Sequence, residues 1–196
     1  MRKLMFSVLM VITLVCAAKL TFAQDKAKAD EPVKGFRGEF LAQMADIQKK
    51  LLDLADAMPA DKYSWRPMEG VRSVSEVYVH IAGANYLFPG FAGVKKPDDL
   101  TKDAEKNITE KAKVIDYMKK SFAFMKDAVM KTPDADLDKP ATLFGQETTI
   151  RGVFFEAGLH MHEHFGQSIA YARMNKIVPP WTAAEQAQQA KDNTKK

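Results

Sequence analysis

One cysteine stands in 196 residues, Cys16, and it lies in an apolar amino-terminal segment. A chain that loses that segment has neither thiol nor disulfide, so its core alone must hold it. No cysteine nucleophile then remains, and no serine sits in an elbow-like turn. Ser168, one residue past Gln167 on a helical stretch, is placed to bond back to the preceding turn. Also missing are an internal repeat, a glycine-rich phosphate loop and any alternation of strand type. A basic surface is lacking too. The formal charge is +4 and the pI about 9.0, but Arg2, Lys3 and Lys19 supply most of the excess. Without them Lys plus Arg falls from 29 to 26 against 25 Asp plus Glu, a net charge of +1. Nucleic-acid binding by basicity is thereby excluded.

What is present begins with a leader. Arg2 and Lys3 form a positive start, Leu4 to Ala18 an uncharged apolar run, and Thr21-Phe22-Ala23 a signal-peptidase site before Gln24. This predicts a signal peptide over 1–23 and a periplasmic or secreted protein without stable membrane insertion after cleavage. The alternative is an uncleaved anchor, for which the run is short against about 20 residues. Val15 before Cys16 is a poor fit to a lipoprotein site. Residues 24–34 read as a flexible linker.

From Gly35 the apolar residues recur at helical spacing. Phe36, Phe40, Met44, Ile47, Leu51, Leu54 and Met58 make one stripe, stopped by Pro59. An aromatic-rich connection follows, Tyr63-Ser64-Trp65-Arg66-Pro67. A capping box at Ser73-Val74-Ser75-Glu76 opens a second helix that ends before Pro89-Gly90. Residues 95–107 read as a charged connection. A third helix starts near Asn107 or Thr109, and 132–145 is a loop with a short extended piece at Ala141 to Phe144. The fourth helix begins after Thr148 or Thr149 and runs to about Asn175, where Val178-Pro179-Pro180-Trp181 forbids its continuation. Residues 182–196 read as a frayed tail. Four amphipathic helices predict an all-α four-helix bundle over 35–181.

The chemistry sits on the second and fourth helices. His160 and His164 are four apart and project from one face, a helical bite for a divalent metal. His80 falls on the apolar stripe of another helix. One such histidine alone reads as a core residue, but three that converge in a bundle favour a metal. His162 is about 200° round the helix from His160 and reads as surface. Glu163 and Glu156 flank the pair as partners or proton acceptors, and Gln167 is placed to bond a metal-bound water or a substrate. Each of these three serves equally as an ordinary helix-surface residue. Gly152, Gly158 and Gly166 each cost about 1 kcal/mol of helix propensity, which suggests close approach of another helix or space around a bound group.

Pro59, Tyr63-Ser64-Trp65-Arg66-Pro67, Val71 to Glu76, His80, Asn85, His160, His164-Phe165-Gly166-Gln167 and Val178-Pro179-Pro180-Trp181, in that order, resemble the DinB-like (damage-inducible) superfamily. The resemblance covers Gly35 to Trp181. It implies a four-helix bundle in which His80, His160 and His164 bind one divalent transition metal such as zinc or nickel. It implies also that dimerisation is common, and that some relatives activate a low-molecular-weight thiol for transfer or isomerisation. Such thiols are cytosolic and scarce outside the cell, so thiol transfer fits an exported member poorly.

Three neutral nitrogen ligands leave a metal with open positions, able to lower the pKa of a water to about 7 or to polarise a carbonyl. The first expectation is a metal-dependent hydrolase or transferase acting on a small molecule, with Glu163 or Glu156 as proton acceptor. The competing one is a non-catalytic, metal-stabilised binding or stress-response module of the cell envelope.

Overall fold

The computed structural model describes residues 33–194. The expected leader and most of the linker lie outside the described residues. The first helix, α1 (Gly35–Ala57), buries Phe40, Met44, Ile47, Leu51 and Leu54, the stripe read from its sequence. A single 3-10 turn over Ala60–Lys62 follows Pro59. The aromatic connection after it is tied down: Tyr63 Oη donates to the Ala55 carbonyl at 2.7 Å, and the amides of Val74 and Ser75 donate to the carbonyls of Trp65 and Tyr63.

Helix α2 (Val74–Phe91) starts at the expected capping box, with Ser73 accepting from the Glu76 amide and the Glu76 carboxylate accepting from the Ser73 amide. It does not stop before Pro89 but runs through it. The proline removes one amide within the last turn, and short bonds from Ala92 and Val94 to the Pro89 carbonyl close the end. Twelve of the 18 positions of α2 are buried, Asn85 included, whose amide donates to Ser121 Oγ at 3.1 Å. This helix is therefore the centre of the bundle.

The charged connection contains a one-turn helix, α3 (Ala104–Asn107), entered through Asp103 at φ 49°. Helix α4 (Lys111–Lys131) buries Val114, Met118, Phe122, Met125 and Val129. It runs antiparallel to α1: Lys111 Nζ donates to the Asp56 carbonyl at one end, and Arg37 Nε pairs with Asp134 at 2.6 Å at the other.

In place of one extended piece the structure has a hairpin of β1 (Pro140–Leu143) and β2 (Gln146–Thr149), with Leu143 opposite Gln146. Its two-residue turn puts Phe144 at φ 49° and Gly145 at φ 84°, the primed geometry that matches strand twist. Phe144 is an unusual residue for that turn, which is why the sequence did not announce it.

Helix α5 (Ile150–Met174) is capped by Thr149, whose side chain accepts from the Gly152 amide. It packs on α1 through Phe154 and Phe40, whose ring centroids are 5.9 Å apart. Of the three glycines, Gly158 faces Phe40, where a Cβ would make ordinary contact; one at Gly166 would meet nothing within 4 Å; and one at Gly152 would strike Thr148 Oγ1 of its own chain segment at 2.1 Å. Only Gly158 thus faces another helix.

A last helix, α6 (Pro180–Asn193), replaces the expected frayed tail. Proline at its first turn and a run of alanine and glutamine favour that conformation. Trp181 anchors it against Phe165, with centroids 5.5 Å apart. No helix among the described residues is long and apolar enough to cross a membrane.

Candidate metal centre

Helices α2 and α5 run antiparallel, and where they face each other they bring His80, His160 and His164 together. One ring nitrogen from each lies within 4.8 Å of the others, and no other group of three His, Cys, Asp or Glu does so among the described residues. The ring centroids stand 5.0, 4.7 and 4.5 Å apart. His80 is not fully buried as its stripe suggested. Its side chain is 25 % exposed and opens on a hollow at the bundle surface.

Two of the three rings are oriented by partners at Nδ1. His80 Nδ1 lies 2.8 Å from Glu105 Oε1 on α3, and Glu105 in turn accepts from Arg72 Nε at 2.8 Å. Burial pulls the Glu105 pKa up, but the hydrogen bonds from Arg72 and His80 outweigh it and leave the carboxyl below its usual range. The ionised carboxylate accepts, so His80 carries its proton on Nδ1 and presents a free lone pair at Nε2. His164 Nδ1 lies 2.7 Å from Gln167 Oε1 and donates to it, which frees Nε2 in the same way. Gln167 Nε2 donates to Tyr171 Oη at 3.1 Å, and Tyr171 Oη donates to the Arg72 carbonyl at 3.0 Å. Arg72 therefore joins both ligand supports, its guanidinium through Glu105 and its carbonyl through Tyr171.

His160 differs. Burial is the first cause that pushes its pKa down to about 4, and the nearby His164, His80 and Arg72 add to it. Its ring is neutral at pH 7, with Phe88 packed 5.6 Å away, and its buried Nδ1 has no hydrogen-bond partner. Its Nε2 faces His80 Nε2 at 3.1 Å. Two nitrogens bound to one tetrahedral ion at about 2.0–2.1 Å each would stand about 3.3 Å apart. The converging lone pairs, the spacing and the supported tautomers all fit a divalent cation.

The glutamates singled out from the sequence are placed elsewhere. Glu156 and Glu163 are exposed, and neither belongs to the histidine group. Gln167 holds His164. His162 is exposed and its Nδ1 lies 2.9 Å from the Gly158 carbonyl, while Ser168 Oγ bonds back to the His164 carbonyl at 2.8 Å, as expected. Sequence reasoning missed Glu105, Arg72 and Tyr171 as supports. Glu105 sits in a segment without period. Arg72 and Tyr171 are 99 residues apart, so no local pattern links them.

Two hollows flank the centre. One, of about 530 Å³, lies between α2, α3 and the hairpin; its walls are Val79, Ala84, Leu87, Phe88 and Phe144, and His80 and His160 stand at its inner side. The other, of about 600 Å³, is polar and lined by Arg66, Arg72, Glu76 and Gln167. Glu105 and Lys106 border both.

Fold and site define a class: helical bundles in which histidines from two facing helices form a group able to receive a metal. The particular family follows from comparison, because the DinB superfamily profile matches residues 43–168, and the chain belongs to that superfamily. No curated protein matches the chain. Its fold is similar to that of a DinB-like protein from Bacillus cereus (TM-score 0.64, 18 % identity, covering 72 % of this chain and 93 % of the other). It is similar too to a DinB-like protein from Bacillus subtilis (TM-score 0.58, 20 % identity, 71 % and 93 %). A conserved protein from Enterococcus faecalis gives a TM-score of 0.58 at 14 % identity, over 72 % and 97 % of the two chains.

Proposed function

We propose that this protein is an exported, metal-dependent hydrolase or transferase of a small molecule, holding one zinc or nickel ion on His80, His160 and His164. One observation carries the reading: three ring nitrogens converge, two with their tautomers set by Glu105 and Gln167, beside a hollow large enough for a small molecule. A divalent ion on three neutral nitrogens keeps open positions and supplies Lewis acidity. The chain's own contribution is orientation. Glu105 and Gln167 fix two rings, and Phe88 packs on the third. Glu105 is the carboxylate that borders both hollows, and its two oxygens are taken up by Arg72 and His80. Glu163 and Glu156 remain candidates for proton acceptor only through movement of substrate or chain.

The test is to purify residues 24–196 without a metal-binding tag and to measure metal by elemental mass spectrometry beside a His160→Ala/His164→Ala variant. One equivalent in the wild type and none in the variant is expected; absence of metal in both, even after reloading, overturns the reading. Export is checked by expressing the full chain and sequencing the amino terminus of the periplasmic product, expected at Gln24.

A second reading, metal-stabilised binding without catalysis, is favoured by the engagement of Glu105 with both Arg72 and His80. It predicts that chelation lowers the melting temperature while no hydrolase or transferase substrate in a broad screen turns over.

A further inference from the structure

The apolar hollow is built more specifically than a gap between elements. Its floor is Gly83, on the open face of α2 between His80 and Leu87, where an added Cβ would meet nothing within 4 Å. Without a side chain at 83 the hollow stays open along this face of the helix. Its far wall is Phe144, which the hairpin turn holds at φ 49° and leaves 66 % exposed. Phe144 packs edge-on against Phe88 and Phe91, at 6.0 and 5.0 Å, so the aromatic surface continues from α2 onto the hairpin. Its volume of about 530 Å³ suits a small organic molecule.

The charge at its edge has one sign to spare. Glu105 is engaged by Arg72 and His80, whereas Lys106 has no carboxylate within ion-pairing distance among the described residues. Lys106 lines both the apolar and the polar hollow, as does Glu105 before it. An apolar trough that ends beside a free ammonium and a cation site matches a molecule with an apolar body and an anionic head.

We infer that the hollow over Gly83, between Phe88, Leu87 and Phe144, is the binding site for a small amphipathic carboxylate, its alkyl or aryl part in the trough and its head between Lys106 and the histidine group. The inference rests on the reading of the site as a metal centre only for the head; the trough is made by the protein alone. The reactions that fit are those that release or modify an acyl group.

The experiment is calorimetric titration of straight-chain carboxylates from butanoate to decanoate, and of the matching alcohols, into the zinc-loaded and the metal-free full chain after leader removal. Affinity is expected to rise about fourfold for each added methylene until the trough is full, in both forms of the protein. Gly83→Leu should abolish that dependence while keeping one equivalent of zinc, because it fills the trough and removes none of the three histidines. Lys106→Gln should weaken the carboxylates severalfold and leave the alcohols unchanged.

Affinity that is flat with chain length in zinc-loaded protein overturns the inference and leaves the metal reading standing. A chain-length dependence in a protein that takes up no zinc does the reverse. A second copy of this chain in the trough would appear as flat titrations with a dimer in light scattering that Gly83→Leu dissociates, and that outcome also overturns the inference.

Discussion

Glu105 and His160 are the two residues on which the site's chemistry turns, for opposite reasons. Glu105 acts by holding: its ionised carboxylate fixes the proton of His80 on Nδ1. Glu105→Gln keeps the shape but removes the charge. It is expected to weaken metal binding by about 10–100-fold, the usual effect of losing such a partner, read by competition with a chromophoric chelator. Glu163→Gln, far from the rings in role, should leave that affinity unchanged. His160 acts by staying neutral. Its folded pKa of about 4 lies below its unfolded value of about 6.5. The unfolded chain therefore binds the proton first, and metal-free protein loses stability as pH falls from about 6.5 toward 4. His80, also shifted downward by burial, adds to the same slope. Melting in the presence of chelator should be lower at pH 5 than at pH 7. His160→Asn should shrink the difference; an unchanged slope would contradict the account.

Elements differ in how openly the sequence announces them. The stripes of α1 and α4 were legible because each helix has one buried face and one wet one. The start of α2 was legible in Ser73 and Glu76, but its end was not, since a proline in a last turn costs little there. Truncating that cap by Ser73→Ala should lower stability by about 1 kcal/mol in urea denaturation. The glycines of α5 divide in the same measurement. Gly166→Ala should gain up to about 1 kcal/mol, because its Cβ enters open space. Gly152→Ala should gain nothing or lose, because Thr148 Oγ1 must first move. The pair His160 and His164 was legible from spacing within one helix, and His80 from its isolation on a second. Glu105 was not, because a single turn of helix has no period, and its value comes from the fold that brings α3 over His80.

At the scale of the whole molecule the metal is expected to act on stability as a ligand of the folded state alone. Zinc at about 100 times its dissociation constant should add about 2.7 kcal/mol, or several degrees of melting temperature by calorimetry. His160→Ala/His164→Ala should melt at the same temperature with zinc and with chelator. The distribution of the ligands along the chain adds a consequence. His160 and His164 are one helical turn apart and stay neighbours in any residual helix, but His80 is 80 residues from His160. Bringing the ends of so long a segment together costs an unfolded chain on the order of 4 kcal/mol, roughly a thousandfold in affinity. The bundle has already met that cost by packing α2 on α5. An ion here is thus a clasp that only the finished fold can fasten. In a chain with a single cysteine, acid or a chelator would open it and a reductant would not.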